Sequence, residues 1–198
     1  MTKPNDAYFA HVDWVVNRAA QKGLLMVMST ACFGNGADGW RNTVDISNAR
    51  AYGNYLGNRY KNFNNIVWIQ GDDDPVEGKL DAVRELAAGL KENAPQQLQT
   101  YHDAERASSQ TLNDEDWLDI NMAYSRSGNY AQVLNEYNRQ RVCSIVEGEN
   151  QYIDENNNAF VGRKQAYWVM LSGAAGHAYG ADLVWSLDPG CRMGRRAE

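Results

Sequence analysis

The stretch from Asn65 to Pro75, NIVWIQGDDDP, decides how the rest of the chain is read. A β-branched, apolar run stops at a glycine and is followed at once by three carboxylates. A buried strand reads this way when it emerges at the carboxyl end of a parallel sheet and delivers acids into a pocket. For any one of Asp72, Asp73 and Asp74 the plain alternative is a solvated turn with an Asp capping a helix. Three together after such a strand favour a pocket. A second stretch, RVCSIVEGENQY from Arg141 to Tyr152, repeats the pattern with Glu147 and Glu149.

Outward from these two strands, apolar runs and helical stripes alternate. Tyr8, Phe9, Val12, Val15, Val16 and Ala19 share a helical face that Gly23 is placed to end. Leu24 to Ser29 reads as a buried strand, and Ser47 as the N-cap of a helix through Ala49, Tyr52, Leu56 and Tyr60. Leu80, Val83, Leu86, Ala87 and Leu90 make the cleanest stripe. Further strands are expected at 98–102, 117–124, 142–149 and 174–180, and further helices around Tyr130 to Tyr137 and Phe160 to Leu171. Strands and helices in this alternation imply a parallel sheet with right-handed crossovers.

No GxGxxG or Walker-type loop supports a nucleotide-binding open sheet. Polar residues recur at strand ends: His102, Asn121 and Tyr124, Glu149, and His177. That recurrence favours an α/β (β/α)₈ TIM barrel, which gathers all strand ends around one mouth. About six strands are found where a barrel has eight, and the first element is a helix. The expectation is a partial barrel domain over 1–187, with the opening β/α units outside this chain, and a loose tail over 188–198.

The chain has 198 residues, 43% hydrophobic and 22% charged, which fits one folded domain. A formal charge of −6 and scattered basic residues argue against a nucleic-acid partner. No apolar run reaches the roughly 18–20 residues of a membrane span, and no signal peptide is read at the N-terminus. Cys32, Cys143 and Cys191 form no CxxC pair, so they read as incidental thiols. Six Trp and eleven Tyr against four Phe suit sugar stacking as well as core packing. Trp40, Tyr101, Tyr124 and Tyr152 are candidates for stacking, and Trp68 for the interior.

If the strands are the third to the eighth of a barrel, Asp72 or Asp73 ends the fourth and Glu149 the seventh, opposite each other. Cleaving a glycosidic bond takes one carboxyl to protonate the leaving oxygen and another to attack or to activate water. Glu147 is read as a supporting residue or the partner of a nearby Arg. Trp40, His102, Asn121, Tyr124, Tyr152 and His177 are expected to line the substrate site. No cofactor is expected. Two rivals stand beside this reading. One is a hydrolase that uses a divalent metal held by Asp72, Asp73 and the two histidines, although no HxH or HExxH spacing supports it. The other is a non-catalytic carbohydrate-binding barrel.

The segments YFAHVDWVVNRAAQKGL, RYKNFNNIVWIQGDDDP, LQTYH, WLDINMAY, VEGENQY and RKQAYWVMLSGAAGHAYG, in this order, resemble the apiosidase-like glycoside hydrolases, family 140 and its surrounding group. The resemblance implies a (β/α)₈ barrel that removes sugars from plant cell-wall polysaccharide, with apiose on pectic side chains as the characterised case. It implies an oligosaccharide or polysaccharide substrate and a bacterial periplasmic or secreted setting. It also implies a catalytic Asp after the fourth strand and a catalytic Glu after the seventh. The family's Asp follows two glycines; here Gly71 is followed by Asp72 and Asp73, and either can stand at the Asp position. The family's Glu-Pro-x-Tyr is here Glu149, Asn150, Gln151, Tyr152, with Glu149 matching by position.

Overall fold

The computed structural model describes residues 3–32, 42–73, 75–112, 115–140, 143–152 and 159–181. Helices and strands alternate along them: α1 (Asp6–Gln21), β1 (Met26–Ser29), α2 (Ala49–Tyr60), β2 (Ile66–Gly71), α3 (Leu80–Asn93), β3 (Leu98–His102), the short α4 (Ser109–Leu112), β4 (Ile120–Tyr124), α5 (Asn129–Tyr137), β5 (Ser144–Glu149), α6 (Ala159–Leu171) and β6 (Gly176–His177). The chain forms two compact units. One is Met1–Ala104 with Ser108–Ile120, and the other is Glu105–Ala107 with Asn121–Glu198.

The first unit is built on the sheet β1-β2-β3. Both pairs are parallel, with Met26 opposite Ile66 and Gly71 opposite His102. β2 lies at the centre, and Ile66, Val67 and Trp68 are buried, as its continuous apolar run requires. Trp68 packs with Val16, Leu56, Tyr60 and Leu90 from the helices, and its indole N–H donates to Gln97 Oε1 at 2.6 Å. α3 buries Val83, Leu86, Ala87 and Leu90 of the stripe read from sequence together with Ala82, while Leu80 is partly buried. α2 and α3 approach closely because Gly53 and Gly89 face the neighbouring backbone. A Cβ on Gly89 would lie 2.6 Å from Arg50 O, and one on Gly53 would overlap Leu86 O.

Three expectations are corrected here. β1 is not buried: Val27 is 55% exposed, because β1 is the edge of its described sheet. Ser47 does not cap α2; it bonds to Asp45 in a turn, and the helix starts at Ala49 after Asn48. Tyr101 does not stand in a sugar groove, since it is fully buried in the core formed by Ala31, Val76, Leu86 and Trp117.

The second unit is built on the sheet β4-β5-β6, in which β5 and β6 run parallel with Glu147 opposite His177. Its core joins Ala123 and Ile145 from the strands to Val133, Val169 and Ala174. The C-terminal segment expected to be loose lies outside the described residues, as do Trp40, Asp74 and Cys191.

Candidate functional site

In the first unit the chain leaves β2 through three residues with unusual backbone. Gly71 has φ 82, Asp72 φ 150 and Asp73 φ 50. A side chain at Gly71 is sterically barred, because its Cβ would lie 2.6 Å from the Tyr101 ring and against His102 O. Positive φ at two successive non-glycine residues stores on the order of 1–3 kcal/mol each, and such strain persists only where the surroundings hold it. They do so here. The parallel register sets His102 beside Gly71, and His102 Nδ1 accepts the Asp73 backbone N–H at 3.1 Å. Cys32 Sγ, three residues past the end of β1, donates to Asp72 Oδ2 at 2.6 Å.

An imidazole nitrogen that accepts a hydrogen bond is unprotonated, so neutral His102 carries its proton on Nε2. One carboxylate oxygen of each Asp lies 4.0 Å from Nδ1. Donor atoms of Asp72, Asp73 and His102 all fall within 4.8 Å of one another, the dimensions of a divalent-ion site. However, Nδ1 has one lone pair, and the Asp73 amide already engages it. Two half-exposed carboxylates are a weak donor set by themselves. The next acid, Asp103, carried no sequence signal beyond following His102. It is buried and accepts from Ala104 N at 2.8 Å and from Thr111 Oγ1, anchoring the chain after β3.

In the second unit β5 ends on Glu149, which lines a cavity of about 100 Å³ with Asn150, Tyr152 and Tyr179. Gly148 lets β5 lie against Met122, whose Sδ would overlap any Cβ there. Glu147 is fully buried, and no arginine is among its partners in the described residues. Its carboxyl takes the Asn129 side-chain N–H from the start of α5, and lies 3.3 Å from both Asn150 Nδ2 and His177 Nε2. Burial pushes Glu147 up to about 7, against the opposing pull of the two amides. Burial also pushes His177 down.

Met122 and Tyr124 alternate with Asn121 and Ala123 along β4. Ala123 packs against the helices, and Asn121 shares its face: Asn121 Nδ2 donates to Glu136 Oε2 on α5 at 2.9 Å. Expected as a lining residue, Asn121 is buried and ties strand to helix instead. Tyr124 is nearly buried, while Tyr152 borders the Glu149 cavity.

A model of the family described as "Apiosidase-like, catalytic domain" matches residues 1–193. The chain belongs to the apiosidase-like catalytic-domain family. Two solved structures resemble this apiosidase-like chain. One is a glycoside hydrolase family 5 protein from Bacteroides vulgatus ATCC 8482, 26% identical with a TM-score of 0.78, the match covering 87% of this chain and 43% of that one. The other is described as a glycoside hydrolase, also 26% identical, with a TM-score of 0.81 and coverage of 96% and 49%. The apiosidase-like chain thus spans under half the length of each, and its α/β fold of parallel strands corresponds to part of a TIM barrel. A comparison with curated proteins returned no match. Among the described residues no helix is long and apolar enough to cross a membrane.

Proposed function

We propose that this apiosidase-like chain is the catalytic part of a glycoside hydrolase acting on pectic side chains of plant cell-wall polysaccharide, with Asp73 and Glu149 as its two carboxyls. The observation that carries the reading is an acid at the carboxyl end of a parallel strand in each unit, Asp73 just past β2 and Glu149 closing β5, in a chain of this family. One carboxyl would protonate the leaving oxygen while the other attacks the anomeric carbon or activates water. The backbone supports Asp73 over Asp72. The family's Asp follows two glycines, and Asp72 at φ 150 has a conformation that suits glycine. Asp72 therefore stands in the second glycine's place, and Asp73 takes the catalytic position. His102, Tyr124, Tyr152 and His177 would border the sugar, and a substrate of this kind places the enzyme in the periplasm or outside the cell.

The test is hydrolysis of pectic oligosaccharides and aryl glycosides, apiose-bearing ones first. Asp73→Asn and Glu149→Gln each lower kcat by roughly 10²-fold or more, the usual share of a general acid or base. Their circular dichroism stays that of the parent. Asp72→Gly keeps its rate. A full rate in Glu149→Gln, or a rate lost in Asp72→Gly and kept in Asp73→Asn, rejects the assignment.

A further inference from the structure

Two cavities of the second unit adjoin at Tyr179. One is the cavity that Glu149 lines. The other, of about 270 Å³, is walled by α6, His177 and Tyr179. The chain is pinned where it passes between them. The Ala178 N–H donates to Glu147 O at 2.9 Å, and Ala178 O accepts from Asn150 Nδ2 at 2.6 Å. Tyr179 follows at once, 65% exposed, and lines both spaces.

α6 contributes Ala159, Gly162, Arg163 and Ala166, which recur at helical spacing on one face. Three of these side chains are too small to fill the space, and of the four only Arg163 is charged. Elsewhere Arg50, Arg59, Arg84 and Arg139 each hold a carboxylate. Arg163 is exposed, and among the described residues no acid pairs with it. Lys164 beside it is engaged with aromatic rings, its ammonium 4.6 Å from the centre of Trp168. His177 turns Nε2 toward Glu147 and Asn150, and among the described residues no group bonds its Nδ1.

We propose that Arg163 determines specificity by binding the carboxylate of a uronic-acid unit, seated against Tyr179 beside the unit on which Glu149 acts. This subsite presumes the Glu149 reaction proposed above and names the sugar next to the reacting one. A guanidinium meets a carboxylate with two parallel N–H donors, and a neutral hydroxymethyl group cannot reproduce that pairing. The chain carries a formal charge of −6, with Glu149 on the adjoining cavity and Glu147 against His177. An anionic sugar is admitted among such groups only where a cation answers it. The rest of the lining suits the sugar body. The Tyr179 ring offers a face to its C–H side, and a sugar hydroxyl bonds His177 Nδ1 in either tautomer, as donor or as acceptor. A mostly apolar wall with a few convergent polar groups is the usual build of a small-molecule site.

The experiment is calorimetric binding of a galacturonate disaccharide to the 198-residue chain. The galactose disaccharide of the same linkage, with hydroxymethyl groups in place of the carboxylates, is measured beside it. The parent is expected to bind the acidic sugar about 10-fold or more tighter, the share of a charge-assisted hydrogen bond. Arg163→Gln should bring the two sugars to the same Kd, and Arg163→Lys should keep part of the preference. Inorganic phosphate, the non-sugar anion, should not displace the acidic disaccharide at equal concentration. Arg163 is exposed, so both variants are expected to keep the parent's circular dichroism. Parity of the two sugars in the parent overturns the proposal, as do a preference that survives in Arg163→Gln, displacement by phosphate, and no binding of the acidic sugar. Binding is read without turnover. A uronate preference lost in Arg163→Gln, in a protein that cleaves no glycoside, refutes the proposed function and leaves the subsite standing. Cleavage without such a preference does the reverse.

Discussion

Asp72 is held at φ 150 by its neighbours rather than by its own preference: the Cys32 thiol bonds its carboxylate, and the amide that follows it is fixed by His102. Replacing it by glycine removes the steric cost of that conformation, on the order of 1–3 kcal/mol, and gives back part of it as unfolded-chain entropy. Asp72→Gly is therefore expected to raise the melting temperature modestly while Asp72→Val lowers it, read by thermal unfolding; a lower midpoint for the glycine variant would show that the thiol bond outweighs the strain. The same residue marks where sequence reading stops. GDDD announces a turn rich in carboxylates, but which Asp takes the glycine-like conformation depends on the Tyr101 ring and His102 from the next strand, and no local signal carries that.

Elements were legible where their burial is one-sided and regular. Four of the five residues of the α3 stripe and the central strand β2 are buried as read, since a helix with one apolar face and a strand covered on both sides each write a clear period. β1 misled because an apolar run says that a strand can be buried, whereas Val27 is exposed by the absence of a described neighbour on one edge. Asn121 misled by phase. A strand has two faces, and Ala123 beside it shows that its face looks toward α5, where Glu136 waits. The α2–α3 contact was not legible at all, as glycines in a helix read as defects until the second helix is in place. Because their backbones touch at Gly53 and Gly89, Gly53→Ala should destabilise by about 1–3 kcal/mol despite its better helix propensity, checked by urea unfolding. An alanine that stabilises would mean the helices part without cost.

At the scale of the molecule, each unit pairs an acid-bearing strand with a histidine from the following strand: Gly71 lies opposite His102, and Glu147 opposite His177. If Asp73 and Glu149 act on one linkage, Asp73→Asn with Glu149→Gln together should be no slower than the slower single variant, because either loss already disables the shared step. Multiplying rate losses in a kinetic comparison would separate them. Folding should also register the burial of Glu147 and His177. Glu147 is raised from its ordinary 4.5 to about 7, so alone it binds its proton more firmly folded than unfolded, and stability falls as pH rises from 4.5 toward 7. His177 is lowered from 6.5, so alone it loses stability as pH falls below 6.5. Between 4.5 and 6.5 the two contributions oppose each other. Relative to the parent, His177→Asn should lose on the order of 2–3 kcal/mol as pH rises through that window, and Glu147→Gln should lose stability as pH falls through it; denaturant midpoints against pH decide, and parallel curves for all three would sink the claim. The sequence alone determined the alternation of strands and helices, the acids at two strand ends and the apiosidase-like membership, because period, composition and motif order are properties of the chain in one dimension. Tertiary structure decided which Asp takes the glycine-like conformation, which groups meet the buried Glu147 carboxyl and where Asn121 turns. Those depend on register, on strand phase and on dihedral angles imposed by residues about 30 positions away, at Tyr101, His102 and His177.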